Sequence, residues 1–224
     1  KTFDTEAQIK NSDRCSTHMH LNFQHMSIMQ VYSFLTLFYV YEQPLFMKYA
    51  PERINSDYCR PLYYNKEAAV KAIRKDIQDG VMSEAGRYKS MNTSALFKYG
   101  SIECRMLGGS SSASKPLEWM NILLEFYDYA KNNPKLTPAE IICDTEDWVE
   151  FTKINLPKVW EALKDIKDID KLLQQGVDIC QEYVFTVDWT PAKTAKPPKK
   201  PRKVDPNRVS RPDAAFLIEN DWSD

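Results

Sequence analysis

STHMHLNF, residues 16–23, is the stretch on which the fold turns. Alternate side chains of a β-strand share a face. His18, His20 and Asn22 therefore fall on one side, and Met19, Leu21 and Phe23 on the other. The segment reads as a half-buried strand with imidazoles on its exposed face. The third of the chain's 3 histidines, His25, lies just beyond it. Imidazole serves as metal ligand, phosphate partner or general base. The competing reading of HxH is a solvated polar face.

Beyond this strand, Ser27 is placed to cap a helix running to about Tyr49. Val31, Phe34, Leu35, Phe38 and Leu45 are among its apolar positions, and it is apolar nearly all round, which predicts burial. Pro44 inside it predicts a kink or a break. The loop APERINSDYCRP follows, then a helix from about Lys66 to Asp79, preceded by Asn65 and stopped by Gly80. Arg87–Asn92 and Ser101–Leu107 read as strands, with a turn at Tyr99-Gly100-Ser101 and an end at Gly108-Gly109. Pro116 suits the first turn of a helix from about Leu117 to Lys131, whose apolar face is predicted at Leu117, Met120, Leu124 and Tyr127. Thr137-Pro138-Ala139-Glu140 has a capping-box pattern, Pro157 opens another helical stretch, and Lys171–Glu182 completes the series. Strands mixed with helices in this order predict an α+β fold.

The net charge of −1 over 224 residues argues against nucleic-acid binding by the whole surface. The distribution is uneven, because residues from Thr190 onward carry more Lys and Arg than Asp and Glu. TPAKTAKPPKKPRKVDPNRVSRP has almost nothing to bury and predicts an extended or disordered segment. Residues 193–211 suit non-specific, salt-sensitive contact with nucleic acid, since no aromatic side chain is interleaved to stack on bases. AAFLIENDW, within residues 213–224, is apolar and acidic and suits a protein partner or its own domain. The 5 cysteines are scattered without a CxxC pair, which points to reduced thiols in a cytosol-like compartment. No run is long enough to span a membrane. The organisation expected is a domain over 1–131, a helical extension over 132–189 and a basic tail over 190–224.

Further residues bear on the histidines. Glu103 and Arg105 in SIECR are again at i and i+2, so one strand face offers an acid beside a guanidinium. Arg53 and Asn55 occupy PERINSDYC, and Arg87 and Asn92 bracket RYKSMN. Imidazole, carboxylate, carboxamide and guanidinium together suit triphosphate and divalent-cation chemistry. Taken singly, Glu103 and Arg105 also read as a cross-strand charge set, Arg53 as a helix cap and Glu42 as a buried structural acid.

The ordered set STHMHLNF, PERINSDYC, RYKSMN, YGSIECR and LEWMNILLEFYDYA resembles the amidoligases common in bacteriophages and in some fungi and bacteria. These are carboxylate–amine ligases related to glutamine synthetase and gamma-glutamylcysteine synthetase. The resemblance covers about Ser16 to Lys131. It implies a glutamine-synthetase-like antiparallel sheet, lacking its N-terminal strands here, on which ATP converts a carboxylate to an acyl phosphate that an amine then displaces. It further implies Mg2+ or Mn2+ held by His18 and Glu103, and ATP phosphate met by His20. Arg105 and Glu103 would be catalytic, with Arg105 on the transferring phosphoryl group. Asn22, Arg53, Arg87 and Asn92 would hold nucleotide or substrate, the latter a protein or cell-wall carboxylate together with an amine. Host cytoplasm or the virion would be the setting. The family also carries metal-binding acids on strands upstream, where this chain has only Asp4 and Glu6 in KTFDTEAQIKNSDRC, and Cys104 stands where Phe or His is usual. The missing strands would lie upstream or come from another chain; otherwise the chain is an inactive remnant serving as a structural or binding module in a larger assembly.

Overall fold

The computed structural model describes residues 15–62, 67, 70, 71, 73, 75, 88–110, 112–185 and 189. Its strands are β1 (Met19–Asn22), β2 (Met91–Asn92) and β3 (Ser101–Cys104), and they form an antiparallel sheet in the order β1-β3-β2. The helices are α1 (Ile28–Tyr49), α2 (Ala95–Tyr99), α3 (Ser114–Asn132), α4 (Pro138–Cys143), α5 (Trp148–Asn155), α6 (Pro157–Leu163) and α7 (Ile169–Val184), with a 3-10 turn at Pro51–Arg53. The architecture is α+β, as the sequence predicts. Both strands after residue 86 are shorter than their patterns suggest. The described positions within 66–79 are helical, whereas Arg87, Gly80 and everything from Thr190 lie outside the described residues.

Helix α1 is the axis of the core. Ser27 Oγ accepts from the Gln30 amide while the Gln30 side chain accepts from the Ser27 amide, so both ends of a capping box are made. Every residue from Val31 to Glu42 is buried, because neighbours close on all sides. Phe23 from the strand stacks against Phe34 at 4.9 Å and Tyr127 at 5.2 Å. Phe126 of α3 meets Tyr41 at 5.2 Å, and Trp119 meets Tyr49 at 5.1 Å. Packing on this scale offsets the roughly 3 kcal/mol that an interior proline costs, and α1 runs through Pro44 without the expected break.

Proline at 44 gives the carbonyl of Val40 no amide four residues on. Gly176 of α7 packs directly over that carbonyl. A Cβ at 176 would lie 2.1 Å from the Val40 oxygen, so only glycine permits the approach. Helix α7 lies along α1, and Tyr183 reaches Thr36 through a buried hydroxyl pair at 2.5 Å.

Helix α3 turns a different face inward from the one its pattern suggests. Trp119, Ile122, Leu123, Phe126 and Ala130 are buried, whereas Leu117 is 61% and Met120 40% exposed. The two stripes are one position apart, and the larger rings of Trp119 and Phe126 take the core side. Helices α4 to α7 share the core of α1. No helix among the described residues is long and apolar enough to cross a membrane.

Candidate functional site

The central strand β3 brings the site together. Its register sets His20 of β1 and Asn92 of β2 on either side of Glu103. Burial along β1 alternates as its sequence requires, with Met19 and Leu21 inward and His20 and Asn22 outward. In β3 every position from Ser101 to Cys104 is buried, and Glu103 is only 8% exposed. Side chains over the sheet, not solvent, surround its carboxylate.

Glu103 is held by three donors. Asn92 Nδ2 donates to Oε2 at 2.6 Å, Arg105 Nη1 donates to Oε1 at 2.9 Å, and His18 Nδ1 meets Oε1 at 2.6 Å. The Asn92 amide is oriented by its own oxygen, which accepts from the Ser94 amide at 3.0 Å. Burial pushes the Glu103 carboxyl up, but the Asn92 hydrogen bond and the Arg105 and His18 charges outweigh it and hold the group below the usual carboxylate range. Burial and the Arg105 charge push His18 below its ordinary value, against the pull of Glu103.

A neutral His18 beside an ionised carboxylate must carry its proton on Nδ1. Its Nε2 then accepts from Ser16 Oγ at 2.7 Å. Ser16 does not line the cavity described below, so this chain of hydrogen bonds orients the imidazole.

A cavity of about 420 Å3 opens over this cluster, lined by His18, His20, Asn92, Lys98, Glu103 and Arg105, with Ser94, Ala95 and Tyr99 completing the wall. The Nδ1 of His20 is engaged by Ser101 Oγ at 3.0 Å, which leaves Nε2 for a ligand. Arg105 spends Nε on the Tyr58 carbonyl and Nη1 on Glu103, and no acceptor among the described residues meets its Nη2. The cavity's charged lining is Glu103, already paired with Arg105, together with Lys98. Its chemistry suits an oxyanion: one guanidinium nitrogen, an ammonium and an imidazole around a polar floor.

Five of the eight expected site residues converge here, namely His18, His20, Asn92, Glu103 and Arg105. Asn22 does not line the cavity, and its Oδ1 accepts from the Gln24 amide at 2.9 Å to close a turn. Arg53 is 1% exposed and works as an internal strut, with Nη1 on the Cys15 carbonyl at 3.0 Å and Nη2 on the Arg105 carbonyl at 3.3 Å. Arg87 lies outside the described residues. Lys98 and Tyr99 were not anticipated, although their place just before the Gly100 turn and the SIECR strand was the available signal. Cys104 points into the core, where burial raises its thiol to about 12, and Cys59 is likewise buried and raised to about 11.

The cation implied by the resemblance fits the described donors poorly. His18 and Glu103 are bonded to each other, and both carboxylate oxygens already accept. Among the described residues no group of three or more His, Cys, Asp or Glu side chains comes together to hold a metal ion. No protein-family model, curated protein or solved structure matches the chain.

Proposed function

We propose that this chain is an ATP-dependent carboxylate–amine ligase, forming an amide through an acyl phosphate on a protein or cell-wall carboxylate. The observation that carries the reading is the convergence of His18, His20, Asn92, Glu103 and Arg105, from three separate stretches of sequence, around one polar cavity. Phosphoryl transfer to a carboxylate brings two anions together, and preorganised positive charge is what lowers that barrier. In this reading Arg105, fixed in place by Glu103, presents its remaining nitrogen to phosphoryl oxygens, and Lys98 and His20 take the others. Mg2+ or Mn2+ would need ligands beyond the described residues, or would have to open the His18–Glu103 bond, and no step is assigned to it.

A second reading, a non-catalytic binding module of the same fold, is favoured by the saturated state of Glu103. Hydroxylamine trapping separates the two. Supplied with ATP, Mg2+ and a mixture of free and peptide carboxylates, the ligase converts its acyl phosphate to a hydroxamate, and Arg105→Gln abolishes the product. ATP binding without hydroxamate, or absence of ATP binding, would remove the ligase and leave the structural or binding module.

A further inference from the structure

We propose that Tyr99 is a stacking platform for the planar ring of the ligand, making the cavity selective for a nucleotide over a bare phosphate chain. The proposal rests on the phosphate-binding reading above and adds the ligand's other half.

Most large aromatic side chains described here are buried, but Tyr99 is 58% exposed while lining the cavity. Its place is fixed by backbone geometry. Gly100 ends α2 in a left-handed conformation, φ 69°, and turns the chain directly into β3. It is this positive φ that demands glycine, since a Cβ at 100 would meet only the movable side chain of the exposed Gln24. The phenol ring therefore stands beside the strand that carries Glu103. It meets the His20 imidazole edge-to-face, with centroids 6.4 Å apart and planes at 86°.

The Lys98 ammonium lies 4.8 Å from the Tyr99 centroid. A lysine is a point charge on a flexible stem. Oxyanion donors on the cavity floor and a π-face on its rim fit a ligand with a polyanionic chain joined to a flat heterocycle. Stacking of a base on an aromatic side chain is tolerant of sequence and adds substantially to affinity.

Calorimetric titrations of the full chain with ATP and with tripolyphosphate, at matched ionic strength, test this. The wild type is expected to bind ATP at least about tenfold tighter than tripolyphosphate, a gain of the size stacking provides. Tyr99→Ala should erase the difference while leaving tripolyphosphate affinity unchanged, and Tyr99→Phe should preserve it. An unaltered preference in Tyr99→Ala, or an equal loss for both ligands, would overturn the platform and leave the phosphate site standing. Failure of the wild type to bind ATP would overturn the platform together with the reading beneath it. The exposed position of Tyr99 means that circular dichroism and melting of the variants should match the wild type.

Discussion

Glu42 and Glu103 are both buried carboxylates, and their surroundings drive them in opposite directions. Glu42, in the middle of α1, accepts from the Leu62 amide at 2.9 Å and from Ser90 Oγ, yet burial dominates and pushes it up to about 7. The folded chain therefore keeps a proton on Glu42 that the unfolded chain releases near pH 4.5. Its contribution to stability is complete below that value and is lost as pH rises to about 7, a fall of roughly 3 kcal/mol. Glu103 behaves conversely: its depressed value adds stability above the unfolded carboxylate range, lost only as pH falls through its folded value. His18, also depressed, loses its stabilisation on acidification and opposes Glu42 in the middle range. Urea denaturation of wild type and Glu42→Gln across pH 4.5 to 7 isolates the Glu42 contribution. Their difference should shrink or invert as pH rises, and a pH-independent difference would show that Glu42 does not titrate there. The sequence made Glu42 legible as a buried acid, since it interrupts an otherwise apolar helix. It could not reveal that Glu103 is enclosed, because the side chains enclosing it come from both neighbouring strands.

Element boundaries followed from local chemistry wherever a cap was written into the chain. Ser27 with Gln30, and Thr137 with Glu140, make the reciprocal bonds that start α1 and α4. Pro44 does not break α1, since its effect depends on helices far away in sequence. The same holds for α3, where two apolar stripes compete and only the assembled core decides between them. The contact between α1 and α7 turns on Gly176. Gly176→Ala should force backbone apart at Val40 and destabilise the fold by about 1–3 kcal/mol or more, the range for inserting atoms into a close-packed core. Equilibrium denaturation reads this directly, and an unchanged midpoint would mean that the helices separate without cost. Helix propensity alone predicts the reverse, because alanine favours helix by about 1 kcal/mol over glycine.

At the scale of the molecule, a helical core supports a small sheet whose outer face gathers polar residues distant in sequence. HxH and ExR each carry little information alone. Register turns them into a site, because the pairing of His20 and Asn92 with Glu103 places all three side chains on one face. The sequence supplied most of the cavity's residues but not its rim, since Lys98 and Tyr99 acquire meaning only once Gly100 folds α2 back beside β3. Arg53 shows the converse, a residue with the right chemistry that the fold spends on carbonyls inside the protein. The most direct test of the central claim is the affinity of the full chain for ATP, measured calorimetrically for wild type and Arg105→Gln at low and high salt. Saturable binding that salt weakens, and that Arg105→Gln weakens by more than about tenfold, or about 1.4 kcal/mol, is the predicted result. Absence of saturable binding, or equal affinity in the two proteins, would contradict a phosphate site over this sheet.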